Sequence, residues 1–431
     1  MSFQSSQKIE QTVENREDIT PLLECAWKCM SSGVREIIAG TPIIPAVVAR
    51  AKAVAAENAD FIRSDQGQIM GVYPEKEILY GPTAGLDELR DLVARFWSHA
   101  YGFKNMSGFS PSGLDRHNVA IVSGATEGLS IVLKLFAPGQ KVGIMRLYWS
   151  NYQNLIRGAG GTPVVVDLFD KDYDLDLEAA ENTIKTEGVT SLLINFPTNP
   201  SGDVLSRDES ARLAELARRL NLIIISDEVY NYLRYWDEPL SMLVFAPEHT
   251  VVVSSASKEY LIPGARVGYI IAANRTFASS WIPKLIRSSS SSPNVLGQRV
   301  LIDILREEVE DLERGNPPRT ITRIKAALVR RRDLLISRLK EKGFALAGRN
   351  KDQPGGGISL LARLPETIEV DDKTFIERAL ALQKFSAIPG SVFGAPRCLR
   401  FGYGGMTEET INRLPESLQD VLDSFEHEKV N

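Results

Sequence analysis

Lys258 stands in a sequence context that suits covalent chemistry. It follows an apolar run at residues 250–253 and a small, polar stretch at residues 254–257, and Arg266 lies eight residues further on. A lysine at the end of a buried strand is poorly explained as a solvated surface charge. Desolvation and a neighbouring cation both lower the pKa of a lysine and leave a nucleophilic free amine. The pattern therefore predicts a lysine that forms an imine with a carbonyl group.

The segment around this lysine resembles one particular enzyme family. Ser255-Ala256-Ser257-Lys258 and the later Gly264-x-Arg266-x-Gly268-Tyr269 are similar to the lysine segment of fold-type I enzymes that depend on pyridoxal 5′-phosphate (PLP), class I/II aminotransferases in particular. The resemblance extends from about residue 35 to about residue 420. It implies PLP as the cofactor, bound to Lys258 as a Schiff base, and the PLP-dependent transferase fold.

The resemblance assigns residues to the cofactor ring. Asp227 ends the apolar run at residues 222–226, which is typical of a buried parallel strand that delivers polar groups at its carboxyl end. Its carboxylate would keep the pyridine nitrogen protonated, so that the ring can withdraw electrons. Tyr230 and Asn199 would donate to the phenolate oxygen, and Trp149 would stack on the ring.

The phosphate has its own set of residues. A glycine turn that leads into a helix offers unpaired N–H groups and a positive dipole end. The resemblance places Gly124, Ala125 and Thr126 on one side of the phosphate, and Ser255, Ser257 and Arg266 on the other. Tyr80 matches a tyrosine that reaches the phosphate of the neighbouring subunit, which implies a homodimer.

A late arginine provides a handle for the substrate. Arg400 matches the arginine that binds the α-carboxylate of the amino acid through two parallel hydrogen bonds, and Gly40 matches a glycine that approaches the same carboxylate. Taken alone, each residue has a structural explanation, such as a turn, a helix cap or an ion pair. Their occurrence in the family's order is what favours the functional interpretation.

The order of elements predicts an α/β fold. Seven strand-like runs, at residues 119–122, 142–145, 164–166, 192–194, 222–226, 251–253 and 267–272, are separated by helix-length connections. They predict a large domain with a mostly parallel seven-stranded sheet. A smaller α+β domain with a strand at residues 358–361 is expected to close over the site. We expect an N-terminal arm and part of the small domain at residues 1–75, the large PLP-binding domain at 76–315 and the small domain at 316–431.

Two biased segments have alternative interpretations. The arginines at residues 330–332 are expected to form a solvated helix face instead of a nucleic-acid patch. The serine run at residues 288–292 resembles a linker in composition, but its place after Arg266 matches a family segment that crosses the dimer interface. We favour the interface.

The composition of the chain argues against some classes of function. The chain has 431 residues, 43% hydrophobic and 24% charged, with a net charge of −5 and no basic stripe, so nucleic-acid binding has no electrostatic support. No apolar run approaches the roughly 20 residues that a membrane helix requires. Without a recognisable targeting signal, a cytoplasmic location is expected.

Cysteine and histidine usage predicts neither a disulfide framework nor a metal. The three cysteines are Cys25, Cys29 and Cys398, and the four histidines are scattered along the chain. Cys25 and Cys29 are four residues apart, which on a helix is one face, and we expect them to pack in the core.

The predicted reaction is transamination between an amino acid and a 2-oxo acid. A PLP-dependent lyase or synthase, of the C–S lyase or cyclopropane-forming type, is the alternative on the same fold, because the same substrate carbanion can expel a leaving group. A regulator of this fold would carry a DNA-binding domain in front, and the stretch before residue 40 is too short and insufficiently basic for one.

Overall fold

The computed structural model describes residues 20–40, 53–54, 56–58, 79–104, 106, 109, 113–170, 173–236, 238–349 and 353–430. Within these ranges, none of the helices has the length and apolar character needed to span a bilayer.

Seven strands form the large sheet. Their bounds are β1 Val119–Val122, β2 Lys141–Met145, β3 Thr162–Val166, β4 Val189–Asn195, β5 Ile223–Asp227, β6 Thr250–Ser255 and β7 Gly268–Ala272. The spatial order is β1-β7-β6-β5-β4-β2-β3. β7 is antiparallel to its neighbours β1 and β6, and the other neighbouring pairs are parallel. The predicted mostly parallel sheet of seven strands is therefore confirmed.

The central strands of this sheet are buried on both faces. Every residue of β5 and β6 is buried, as expected for parallel strands covered by helices on both sides. Such strands have nearly continuous apolar sequences, which is why the runs ending at Asp227 and preceding Lys258 could be located from the sequence.

Helices cover the large sheet and build much of the remaining structure. Those before β5 are α1 Pro21–Cys29, α2 Ser32–Ala39, α3 Asp87–Ala100, α4 Ala125–Phe136, α5 Asn151–Gly158, α6 Leu177–Glu187 and α7 Arg207–Leu220. Those after it are α8 Met242–Phe245, α9 Ala256–Glu259, α10 Ile282–Ser290, α11 Val295–Glu313, α12 Arg319–Lys340, α13 Asp372–Ala381 and α14 Glu408–Val430.

A second, antiparallel sheet lies in the C-terminal part. It contains β8 Ala345–Ala347, β9 Leu360–Arg363, β10 Ile388–Pro389 and β11 Cys398–Phe401, in the order β10-β11-β9-β8. The strand predicted at residues 358–361 begins two residues later. Ile358 and Ser359 stay outside the ladder because the Ile358 carbonyl accepts from the Gly404 N–H at 3.1 Å and the Ser359 hydroxyl donates to the Pro200 carbonyl at 3.1 Å.

The arginine run at residues 330–332 lies on α12, and its predicted solvated face is wrong for Arg332. Arg330 is exposed, but Arg332 is 1% exposed, with its guanidinium 4.9 Å from the ring centroids of both Tyr235 and Trp236. The reason is geometric, since successive helix residues are rotated by about 100° and three in a row cannot share one face.

Helix α1 packs on the large sheet. Leu22, Leu23 and Ala26 are buried in the same core cluster as Leu129 of α4. The predicted domain boundaries, after residues 75 and 315, stay a proposal.

Candidate active site

One cavity collects most of the residues that the sequence singled out. It has a volume of about 310 Å³ and lies where β4, β5 and β6 end. Its lining includes Ala125, Thr126, Trp149, Asn199, Asp227, Tyr230, Ser255, Ser257, Lys258, Arg266 and Arg400.

Three predicted residues do not line this cavity within the single chain. Gly124 lies just behind the lining and is in contact with Arg266. Tyr80 is 72% exposed, and Gly40 is exposed at the end of α2.

Lys258 lies on the single turn α9, directly after β6. Burial lowers the pKa of its amine, and the positive charges of Arg400 and Arg266 lower the pKa further, whereas Asp227 opposes them. These causes match the sequence argument, in which desolvation and a nearby cation leave a free amine.

Asp227 is the last residue of β5 and is 4% exposed. The Tyr152 hydroxyl donates to its Oδ2 at 2.6 Å, and the Val229 N–H donates a longer bond of 3.4 Å to Oδ1. Burial raises the pKa of this carboxyl group to about 6, while both bonds and the charge of Lys258 act against that rise. A buried carboxylate with one well-bonded oxygen is suited to pair with a cationic ring nitrogen.

Tyr152 and Asn195 were missed by sequence reasoning. Tyr152 lies three residues after Trp149, and the two rings meet edge to face with centroids 5.5 Å apart. Asn195 ends β4, as Asp227 ends β5, so the rule of polar groups at strand ends could have found it. Its amide donates to the Asp227 carbonyl at 2.9 Å and accepts from the Asn199 N–H at 2.9 Å.

Gly124 forms an anion cradle with Arg266. Gly124 is the N-cap of α4 with a φ of 86°, and a Cβ there would lie 2.6 Å from Arg266 Nη2. The Arg266 guanidinium is fixed by bonds to the carbonyls of Ser123 at 3.0 Å and Pro263 at 3.1 Å. Only glycine fits this turn, and Ala125 and Thr126 in the first turn of the helix that follows line the cavity. The N–H groups of a helix's first turn have no partner within the helix and suit an anion.

Arg400 faces the cavity from the small sheet. Its Nη1 donates to Asn199 Oδ1 at 3.2 Å, and the guanidinium carbon lies 5.2 Å from the Phe393 ring centroid. Its buried Nε has no hydrogen-bond partner among the described residues. Burial lowers the pKa of Arg400, with Tyr230 opposing. A buried donor without a partner is costly, and a carboxylate ligand would relieve that cost.

The polar residues of the cavity suit the phosphate, the ring nitrogen and the aldehyde of PLP. The cradle offers N–H groups, hydroxyls and a guanidinium to the phosphate, Asp227 offers an anion to the ring nitrogen, and Lys258 offers an amine to the aldehyde. These are three separate chemical demands, and the residues that meet them converge in one cavity.

Comparison with known proteins agrees with this chemistry. Residues 74–418 match the model of the family "Aminotransferase class I and II". The chain is 28% identical to the aspartate/prephenate aminotransferase of Thermus thermophilus, over 80% of this chain and 83% of that protein. It is 30% identical to the aspartate aminotransferase of Thermotoga maritima, again over 80% and 83%.

A solved structure of aspartate aminotransferase from Thermotoga maritima has the same fold. It superposes with a TM-score of 0.68 at 26% identity and covers 91% of this chain and 100% of that one. These relatives favour amino-group transfer over the lyase or synthase alternative. The chain therefore belongs to the class I and II aminotransferases, a family of PLP-dependent enzymes that act on amino acids and 2-oxo acids.

Proposed function

We propose that this chain transfers an amino group between an amino acid and a 2-oxo acid, with PLP held at Lys258. The observation that carries the proposal is that Lys258, Asp227 and Arg400 line one cavity. The amine, the anion and the buried guanidinium correspond to the aldehyde of the cofactor, its ring nitrogen and the substrate carboxylate. When bound, PLP supplies an electron sink for the substrate carbon.

Lys258 holds the cofactor and moves the proton. Burial and the charges of Arg400 and Arg266 lower the pKa of its amine, and a free amine is the form that would attach to the aldehyde. The same amine would act as the base for the substrate Cα–H bond and would hold and move that proton inside the cavity. Such proton transfer typically contributes about 10²-fold to 10⁴-fold to the rate.

The remaining cavity residues orient the cofactor. Asp227 would pair with the ring nitrogen, Tyr230 and Asn199 would donate to the phenolate oxygen, and Trp149 would cover one face of the ring. The Gly124 cradle would hold the phosphate, together with Ala125, Thr126, Ser255, Ser257 and Arg266. Support for these roles comes from the position of each residue on or beside the cavity lining.

Arg400 would hold the substrate carboxylate through two parallel hydrogen bonds and so orient the substrate Cα in the cavity that Lys258 also lines. Gly40 is proposed to approach the same carboxylate. In the sequence, Ile43 and Ile44 follow Gly40 closely and favour a substrate with an apolar or aromatic side chain, and both lie outside the described residues.

We also propose that the enzyme is a homodimer. Leu296 and Val300, one helical turn apart on α11, are 50% and 46% exposed, and Leu261 is 46% exposed. Exposed apolar side chains of this kind suit a contact with a second copy. In that dimer Tyr80 would reach the phosphate position of the partner site, and residues 288–292 would lie at the interface. The cytoplasmic location also stays a prediction.

Product analysis tests the reaction. The purified protein is mixed with PLP and a panel of amino acids, and we expect a 2-oxo acid together with the aminated cofactor. Release of ammonia and a substrate fragment would support a lyase instead. Borohydride reduction and peptide mapping should place pyridoxyl on Lys258, with no label in Lys258→Ala and full label in Lys373→Ala, an exposed lysine on α13.

Subunit mixing tests the dimer. Tyr80→Phe and Lys258→Ala chains are each weakened and are then exchanged to form hybrids. If the sites are shared, some hybrid sites contain both intact groups and activity rises above that of either parent. A fully active monomer in sedimentation experiments would contradict the proposal.

A further inference from the structure

Cys25 and Cys29 form a thiol pair on α1, away from the active-site cavity. Their Sγ atoms are 3.8 Å apart, and both cysteines are free thiols. Cys29 is 7% exposed, whereas Cys25 is half-buried and open to solvent on one side. Because Leu22 and Ala26 anchor α1 in the core of the large domain, the two sulfurs are held at a fixed spacing.

This spacing matches metal chelation better than a disulfide. Two thiolates on a tetrahedral zinc ion, each about 2.3 Å from the metal, are about 3.8 Å apart. A disulfide needs Cβ atoms roughly 3.5–4.5 Å apart. Residues four apart on a helix have Cβ atoms about 5–6 Å apart. A metal ion can therefore be chelated on the existing helix, whereas a disulfide would distort it.

Two positive charges lie close to this pair, since Lys28 and Arg35 both act on the Cys29 sulfur. The Arg35 guanidinium is fixed there, since Nε donates to the Trp27 carbonyl and Nη2 to the Lys28 carbonyl, both at 3.1 Å. A thiolate is the form of cysteine that binds metals.

We propose that Cys25 and Cys29 form a two-thiolate site for a thiophilic divalent metal ion of the zinc and cadmium class. The ion takes one sulfur ligand from each residue, and the thiol protons leave to solvent. In the part of the chain that the structure describes, no group of three or more histidine, cysteine or carboxylate side chains is placed to hold a metal. Water or a small thiol is proposed for the remaining coordination positions.

Cadmium titration of the full chain tests the site. With a phosphine reductant present, we expect one equivalent of Cd²⁺ to produce a sulfur-to-cadmium charge-transfer band in the ultraviolet. The band should disappear in Cys25→Ser and in Cys29→Ser. It should be unchanged in Cys398→Ala, the matched control, because Cys398 is buried on β11. A band that persists without Cys25, or no band in the wild type, would overturn the proposal.

A second probe keeps the test independent of how well the variants fold. Phenylarsine oxide exchanges its arsenic-bound oxygen for two thiolates, so that two As–S bonds form and one water molecule leaves with the two thiol protons. Peptide mapping of the folded wild-type protein should find a single arsenic bridging Cys25 and Cys29. Absence of that bridge from the folded protein would also refute the site.

Discussion

The hydrogen bond from Tyr152 to Asp227 can be removed without changing the packing. In Tyr152→Phe the ring remains, so its edge contact with Trp149 is kept and only the donor to Asp227 Oδ2 is lost. A hydrogen bond to a charged group contributes roughly 1.5–3 kcal/mol. At about 1.4 kcal/mol per pKa unit, its loss raises the pKa of Asp227 by about one to two units. The pKa thus moves from about 6 to about 7–8 in the variant.

The sign of the pH effect follows from the folded and unfolded values. The pKa of Asp227 is about 6 in the folded protein against an ordinary value of 3.8, so the folded state binds the proton more tightly. Folding stability without cofactor therefore falls as pH rises through that interval. In Tyr152→Phe the folding stability continues to fall until about pH 7–8. The extra loss of stability is small below about pH 5 and reaches roughly 1.5–3 kcal/mol above about pH 8.

Cofactor affinity is the sharpest assay of this shift. A cationic ring nitrogen favours ionised Asp227, so the affinity of the cofactor-free protein for PLP should rise with pH through the Asp227 pKa. An absorbance titration should place this midpoint near pH 6 in the wild type and about one to two units higher in Tyr152→Phe.

PLP itself also titrates, and it does so equally in all samples. Two control variants therefore separate the titration of Asp227 from that of PLP. Asp227→Asn should lack the Asp227 midpoint, and Tyr148→Phe should keep the wild-type value, since the Tyr148 hydroxyl contacts Gln153 instead of Asp227. An unshifted midpoint in Tyr152→Phe would refute the role assigned to this bond.

Three other substitutions have clear expected outcomes. Arg400→Lys loses the planar guanidinium that makes two parallel hydrogen bonds, so steady-state kinetics should show a KM for the amino acid about tenfold to hundredfold higher, with the fold unchanged. An unchanged KM would contradict the role of Arg400 in carboxylate binding. Gly124→Ala should weaken PLP binding at least about tenfold in an absorbance titration, whereas Gly139→Ala, at a φ of 69° with no atom within 4 Å of the new Cβ, should bind normally. Arg332→Met leaves a buried carbonyl unpaired and should lower the free energy of unfolding by about 1–3 kcal/mol, while Arg330→Met at the exposed position should change it by less than about 0.5 kcal/mol in denaturant titrations.

The large sheet could be predicted because its strands are short apolar runs that end in polar groups. Asp227 and Lys258 follow such runs, and parallel strands bring their carboxyl ends to one edge of the sheet. The strand bounds were off by up to three residues, as at β4, where residues 192–194 were predicted and Val189–Asn195 is found. Strand ends depend on the pairing partner, and the sequence does not reveal it.

The contacts that tune the site depend on distant parts of the chain. The Tyr152 hydroxyl meets Asp227 across 75 residues of sequence. Arg332 is buried because Tyr235 and Trp236 come from another segment to enclose it. Neither contact leaves a local pattern, since helix periodicity indicates which face is apolar and not which partner covers it.

The bond between Arg400 and Asn199 joins the two sheets across the cavity. Asn199 follows β4 of the large sheet, and its Oδ1 accepts from Arg400 on β11 of the small sheet at 3.2 Å. A carboxylate that draws the guanidinium toward itself therefore pulls on the same amide that is proposed to face the phenolate oxygen of the cofactor. The visible absorbance of the bound cofactor should therefore change when a carboxylate binds at Arg400. Even a carboxylic acid without an amino group, which cannot react, should produce this change.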